Sequence, residues 1–309
     1  MEYTVTEADD GRYLREVLRG PMALSYSAMK SAKWSDRIRL NGVSAKVDIR
    51  VRTGDTVMVL PAEEKPVYTP KPYDVVLNIL YEDEHLLVIN KPAPLASQSS
   101  VNHPDDSLEN AVYSYMGCPE GFVYRPVNRL DKGTSGIMVV AKNAHVQHLL
   151  QQMLHTDRFV RSYLAVTEGI PEAEEGILDF PIDKAPGATI RRIISPEGKP
   201  SVTHYRVLRA SGNRALIALK LETGRTHQIR VHLSHIGCPV CGDFLYGTEL
   251  PELKERFALH SAGLSLVHPV TGQLLNLRAE LPGQLENLLK ADQSPNGLRS
   301  GKEAETDER

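Results

Sequence analysis

The chain has 309 residues, 41% hydrophobic and 24% charged, the composition of a globular protein of about two domains; this excludes a largely disordered chain, a collagen-like fibre and a coiled coil. Its net charge of −3, from 36 basic and 39 acidic residues, excludes a uniformly basic nucleic-acid coat. The longest apolar runs, such as Leu86 to Ile89 and Ile137 to Ala141, fall well short of the ~20 residues of a membrane-spanning helix, so none is expected. Three cysteines do not make a disulfide framework. The start, Met1-Glu2-Tyr3-Thr4, shows no basic segment leading into an apolar one, so a cytoplasmic protein is the expectation.

The first segment reads helix, helix, hairpin. Tyr13, Leu14, Val17 and Leu18 recur at helical spacing, with Arg12, Arg15, Glu16 and Arg19 between them. Gly20-Pro21 stops that helix, and a second helical stretch runs near Ser25 to Lys33. Arg37 to Leu40, then Asn41-Gly42, then Val43 onward form a hairpin signal, because Asn-Gly accepts positive φ at both turn positions. Thr56 to Leu60 is the closing strand. Between Arg12 and Arg52 stand ten Lys/Arg, including Lys30, Lys33, Arg37 and Arg39, against three acids. That local excess of +7 fits an RNA-contacting surface; a solvated helix face would carry the same charges.

Four prolines in residues 61–72 mark a semi-rigid linker, placed at 61–75, so the first unit is residues 1–60 and the second 76–290. In the second, His85 to Asn90 and Ile137 to Ala141 read as buried strands, and Arg161 to Thr167 and Ala215 to Leu221 as alternating ones. Ala144 to His155 and Thr226 to Ile236 read as helices. The pattern is mixed α+β, without a solenoid repeat. Residues 291–309 are polar and acidic, the composition of a disordered tail.

Two constellations could carry chemistry. Arg129-Leu130-Asp131-Lys132-Gly133-Thr134-Ser135-Gly136 places an acid between two bases ahead of a core strand. Fixed positive charge favours the ionised carboxylate, which suits a nucleophile or base; an acid in a turn also serves as a cap. The second is Thr223-Gly224-Arg225-Thr226-His227-Gln228-Ile229-Arg230. An arginine on a half-buried helix face needs a carboxylate partner from another element; a structural ion pair would look the same.

These two segments, with Tyr81-Glu82-Asp83 running into Leu87-Val88-Ile89-Asn90-Lys91-Pro92, resemble the RluA-type pseudouridine synthases. Arg161-Ser162-Tyr163-Leu164-Ala165-Val166, Gly237, Pro239, Gly242-Asp243, Tyr246-Gly247, Leu259-His260-Ser261-Ala262 and His268-Pro269 continue the match in order over about residues 76–282. The first segment resembles the small RNA-binding module named after ribosomal protein S-four. The resemblance implies a mixed, mainly antiparallel catalytic sheet preceded by a small α/β RNA-binding module. It implies isomerisation of uridine to pseudouridine in structured RNA, most often large-subunit ribosomal RNA, with tRNA the alternative. Asp131 matches the catalytic aspartate, Arg230 the arginine that pairs with it, and Tyr163 the tyrosine that packs on the target base. Leu259 would add an apolar wall. Arg125, Arg129 and Lys132 would hold phosphates, and Thr134, Arg225 and His227 complete the expected substrate-binding set. No metal, redox or nucleotide cofactor is implied, and the protein is expected to be a monomer.

The chain departs from the family pattern at Asn128, where histidine is usual, and at Pro94 and Gln98 on the expected rim of the site. Cys238-Pro239-Val240-Cys241 is a CxxC, open to redox or zinc readings, but only Cys118 remains as a further cysteine, and structural thiols are expected. His227, His232 and His235 could suggest a metal, but His227 and His232 are five apart and point to different helix faces, so core or surface histidines are expected. Ser135 lies outside a nucleophile-elbow pattern. Two other functions compete with the isomerase: a non-catalytic RNA-binding or ribosome-assembly factor, and a nucleoside hydrolase using an aspartate.

Overall fold

The structure, a computed structural model, describes residues 1–60 and 68–291. Pro61 and Pro66 of the expected linker, and the expected tail from residue 292 on, lie outside the described residues.

The first unit contains β1 (Glu2–Thr4), α1 (Leu14–Arg19), α2 (Tyr26–Trp34), β2 (Ile38–Leu40), β3 (Val43–Ser44) and β4 (Thr56–Val59). The strands form an antiparallel sheet in the order β1-β4-β2-β3. Local chemistry sets its boundaries. The Tyr13 backbone N–H donates to the Glu16 carboxylate at 2.8 Å and opens α1. Ser25 Oγ accepts from the Ala28 N–H at 3.1 Å and caps α2. Asn41 and Gly42 both take positive φ, 52° and 81°, as the hairpin turn requires. Leu14, Val17 and Leu18 of α1 pack with Ala32, Ile38 and Val57 in a core of this unit's own. β1 was not expected from the sequence: three residues carry no usable periodicity, and the strand exists through its pairing with β4.

Residues 69–77 have no regular structure. Tyr68 hydrogen-bonds Glu109, and the Tyr73 N–H donates to Ser114 Oγ at 2.8 Å, so this end of the expected linker lies along α3 (Leu108–Tyr115).

The second unit begins with β5 (Asn78–Glu82) and β6 (Leu86–Lys91), which precede α3. There follow β7 (Ser135–Ala141), α4 (Ala144–Met153), β8 (Phe159–Glu168), β9 (Glu175–Asp179), β10 (Ile182–Lys184), β11 (Arg192–Ile194), β12 (Val202–Ser211), β13 (Arg214–Leu221), α5 (Gln228–His235), β14 (Leu259–Val267), β15 (Leu274–Arg278) and α6 (Gly283–Ala291). Its main sheet runs β5-β6-β7-β14-β8-β13-β12-β9, with β15 added to β14 and β10–β11 a separate hairpin. Every pairing is antiparallel except β7 with β14. The expected mixed, mainly antiparallel α+β architecture is therefore present.

The unbroken apolar runs mark strands buried on both faces. In β7, Ile137, Val139 and Ala141 join a core shared with Val146, Leu150 and Met153 of α4. Met138 and Val140 point the other way, into a core shared with α3, α5 and α6. Side chains alternate along a strand, so a run without polar residues needs cover on both sides.

Gly136 lets the parallel neighbours approach. Its φ is +111°, and a Cβ there would stand 2.3 Å from the Ser261 carbonyl oxygen, closer than any side chain can be placed.

Candidate active site

The loop that enters β7 carries Asp131 and is fixed from several sides. The Asn128 carboxamide accepts from the Val139 N–H at 2.9 Å and donates to the Ile137 carbonyl at 3.3 Å, so this departure from the family pattern staples the loop to β7. Ser97 Oγ accepts from the Leu130 N–H at 3.1 Å and hydrogen-bonds the Leu130 carbonyl. The fully buried Lys91 reaches the carbonyls of Leu95 at 2.7 Å, Pro92 at 3.0 Å and Lys132 at 3.4 Å. Burial pulls the Lys91 ammonium down to about 7, with Asp131 opposing that shift and Arg256 adding to it. Gly133 lies so close to Phe257 that a Cβ would stand 2.9 Å from its ring.

Asp131 faces an arginine clamped between two carboxylates. Arg230 Nη1 donates to Asp131 Oδ2 at 2.8 Å, while Nε and Nη2 donate to the two oxygens of Asp243 at 2.6 and 2.8 Å. The side chains of Arg230 and Asp243 are 2% and 0% exposed, and that of Asp131 is 29% exposed. Asp243 also accepts the N–H groups of Leu245 and Tyr246, at 3.0 and 3.2 Å. The guanidinium lies 3.9 Å from the Phe257 ring centroid and 5.0 Å from that of Tyr246, an arrangement that holds its plane. Burial pushes the Arg230 pKa down, but Asp243 and Asp131 outweigh burial and leave it raised. The buried cation is thus fully compensated, and its third donor fixes the one carboxylate that is partly open to solvent.

The helix that carries Arg230 begins later than the expected Thr226. It starts at Gln228, because His227 takes a left-handed conformation at φ 59°, which the apolar spacing of Ile229, Leu233 and Ile236 does not reveal. This turn brings His227 Nε2 to 3.8 Å from Asp131 Oδ2 and Nδ1 to 2.8 Å from the Tyr246 hydroxyl. Burial lowers the His227 pKa, with Asp131 acting against it, which favours the neutral ring at neutral pH.

Asp131 lines a cleft of about 700 Å³, within the usual range for a ligand site. Of the expected residues, Arg129, Lys132, Arg225 and His227 line it with Asp131. Arg129 and Arg225 are exposed, and Lys132 pairs with Glu255 at 2.8 Å. His155 and Arg161, which were not among the expected residues, extend the basic wall. Tyr163, Leu259 and Thr134 are buried and do not line the cleft. Tyr163 lies on β8 opposite Leu219 and Ser261 and belongs to the same buried core as Leu130 and Leu259. Arg125 is half-buried beside the cleft-lining Pro126 and donates to the Val123 carbonyl at 2.9 Å.

Sequence reasoning quoted Asp243 and Tyr246 as part of a matching pattern but gave neither a role. The signal was an acid 13 residues beyond Arg230 inside an otherwise apolar run. Cys238 and Cys241 are buried and not disulfide-bonded. Burial raises both thiols, Cys241 to about 12, which removes thiolate reactivity.

Comparison with known proteins agrees with this geometry. The profile described as RNA pseudouridylate synthase matches residues 85–235, a span containing both Asp131 and Arg230. A relative from Bacillus subtilis (strain 168), the uncharacterized RNA pseudouridine synthase YjbO, is 40% identical over 256 residues, covering 82% of this chain and 90% of that protein. The chain belongs to the RNA pseudouridylate synthase family. Ribosomal large subunit pseudouridine synthase D of Escherichia coli (strain K12) is 36% identical over 306 residues, covering 93% of this chain and 92% of that protein. The solved structure of Human RNA Pseudouridylate Synthase Domain Containing 4 has a TM-score of 0.55 and 27% identity, covering 69% of this chain and 92% of that one. The synthase is therefore an isomerase that acts on uridine in RNA.

Proposed function

We propose that the synthase isomerises uridine in large-subunit ribosomal RNA, with Asp131 as the catalytic carboxylate and Arg230 as the group that positions it. The observation that carries this reading is the Asp243–Arg230–Asp131 relay, which ends on a partly exposed carboxylate at a basic cleft. The reaction breaks the bond from C1′ to ring N1 and joins C1′ to C5. C5 loses a proton and N1 gains one, so no electrons leave and no group is lost. An aspartate can assist by adding at the sugar or by removing a sugar proton; both require an anion at fixed distance and orientation. Arg230 supplies that fixation.

A base inside a helix cannot reach Asp131, so the target must leave its stack. Arg129, Lys132, Arg161 and Arg225 offer positive charge around the opening for the phosphates on either side. Tyr163 and Leu259 support the loop from the core, and Tyr163 meets the base only if the loop moves aside on binding. The first unit, with its basic excess, supplies further RNA affinity, and the protein works in the cytoplasm. The ribosomal target is supported by the large-subunit names of relatives that match most of the chain.

The test is chemical mapping of pseudouridines across total RNA from cells with and without the gene. Loss of one or a few sites in large-subunit ribosomal RNA is expected. Loss confined to tRNA would overturn the substrate assignment, and no loss anywhere would overturn the catalytic reading.

A further inference from the structure

The basic residues of the first unit are not equivalent. Arg12 is paired with Asp9 at 2.7 Å, and Arg39 with Asp36 at 3.6 Å. Arg15 and Arg50 are stacked on Tyr13, at 4.2 and 4.4 Å from its ring centroid. Among the described residues, Arg19, Lys46 and Arg52 of this unit enter no ion pair, and neither do Lys30, Lys33 and Arg37. Lys30, Lys33 and Arg37 are the ones that stand together, on α2 and the turn that follows it; Arg37 is tied to the helix by a 2.9 Å hydrogen bond to Ser31 Oγ.

The same helix exposes two large aromatic rings. Ala32 is fully buried and fixes the inward side of α2. Tyr26, Lys30 and Trp34, at i, i+4 and i+8, follow one line on the opposite side. Tyr26 is 65% and Trp34 76% exposed. Trp34 is the chain's single tryptophan, and the Lys33 ammonium sits 5.9 Å from its ring centroid. A lone exposed apolar side chain needs no explanation. Two aromatic rings interleaved with three uncompensated cations form the pattern of a single-strand binding surface, where cations follow the phosphates and rings take the bases.

The geometry points to the Tyr26–Lys30–Trp34 face of α2 as a docking surface for a single-stranded segment of the RNA substrate, with an unstacked base laid on Trp34 and its flanking phosphates on Lys30, Lys33 and Arg37. This rests on the proposed RNA-binding role of the first unit. The occupant is RNA because the charge on this face complements a phosphate backbone, and because a base offers the flat apolar surface that an isolated indole lacks. The ring reads no sequence, so the contact adds affinity for an unpaired strand and leaves the choice of uridine to the cleft.

Trp34 also reports on its own occupancy, since no other indole contributes to the fluorescence. The full chain is titrated with a 12-nucleotide single-stranded oligoribonucleotide of mixed sequence and, separately, with a 12-base-pair RNA duplex. Indole fluorescence is followed in parallel with anisotropy of end-labelled RNA. The expected result is saturable quenching by the single strand, with the same midpoint as the anisotropy. Trp34→Ala should weaken single-strand binding about 5- to 150-fold and duplex binding far less, and Trp34→Phe should fall between. Lys30→Gln with Lys33→Gln should reduce the slope of log affinity against log salt by about 0.7 per lysine. Anisotropy showing wild-type binding without quenching, together with unchanged affinity in Trp34→Ala, would overturn the stacking surface while leaving the RNA-binding role standing. Absence of any RNA binding by the wild type would overturn both. A change of oligomeric state in Trp34→Ala at unchanged RNA affinity would make the face a protein contact and overturn the proposal.

Discussion

Asp243→Asn removes one of the two carboxylates that hold Arg230 and leaves Asp131 untouched. In the native chain Asp243 takes two donors from Arg230, at 2.6 and 2.8 Å, in a place closed to solvent. Losing one partner of a buried ion pair costs about 3–5 kcal/mol. The amide keeps the shape and one acceptor, so the lower end applies, about 3 kcal/mol. At about 2–4 °C per kcal/mol for a unit of this size, the melting temperature should fall by about 6–12 °C. Arg230 then has a single fixed carboxylate, and small errors in Asp131 placement cost about 100-fold in turnover. RNA affinity should not change, since Asp243 does not line the cleft. The assay is tritium release from RNA labelled at C5 of uridine, under single-turnover conditions, beside thermal melts and RNA binding. A melt lowered by less than about 2 °C with wild-type turnover would refute the relay.

Lys91, pulled down to about 7 in the folded chain, should give stability a pH slope. The unfolded chain holds that proton up to about 10.5, so folding becomes more favourable as pH rises from about 7, by at most ~1.4 kcal/mol per unit. Denaturant unfolding at pH 7 to 9 should show a shallower rise in Lys91→Met than in the wild type, and parallel curves would contradict the assignment. Asn128→Ala leaves the buried Val139 N–H without its acceptor and should cost about 1–3 kcal/mol in the same experiment. Asn128→His should keep turnover if the residue acts only as a staple; a large gain in rate would give it a chemical role. Gly136→Ala should destabilise by about 3 kcal/mol, the upper end for an inserted methyl, because its Cβ meets backbone and no side chain can yield.

The fold was legible where local signals agree. The Asn41-Gly42 turn, the stop of α1 at Gly20-Pro21, and the two-sided burial of β6 and β7 follow from residue type and spacing. Pairing-dependent elements were not legible: β1 and the short β10–β11 hairpin exist through partners distant in sequence. The site divides in the same way. Asp131, Arg129, Lys132, Arg225 and His227 stand within two contiguous motifs, and the structure places them around one cleft. Asp243 is a contact across an element, and nothing in its neighbours says that Arg230 will donate three hydrogen bonds to two acids. The burial of Tyr163, Leu259 and Thr134 was likewise hidden, because strand alternation does not say which face opens to a cleft. The late start of α5 depends on the left-handed His227, a conformation that apolar periodicity does not encode.

The central claim is that Asp131 is the catalytic carboxylate. Asp131→Asn keeps the size of the side chain, and Arg230 keeps its buried partner Asp243, so fold and RNA affinity should persist. Tritium release from C5-labelled large-subunit ribosomal RNA, measured at saturating enzyme, is the most direct test. The account predicts no detectable release from Asp131→Asn while its melt and its RNA binding match the wild type. Release within about tenfold of the wild-type rate, a barrier change of only about 1.4 kcal/mol, would contradict it.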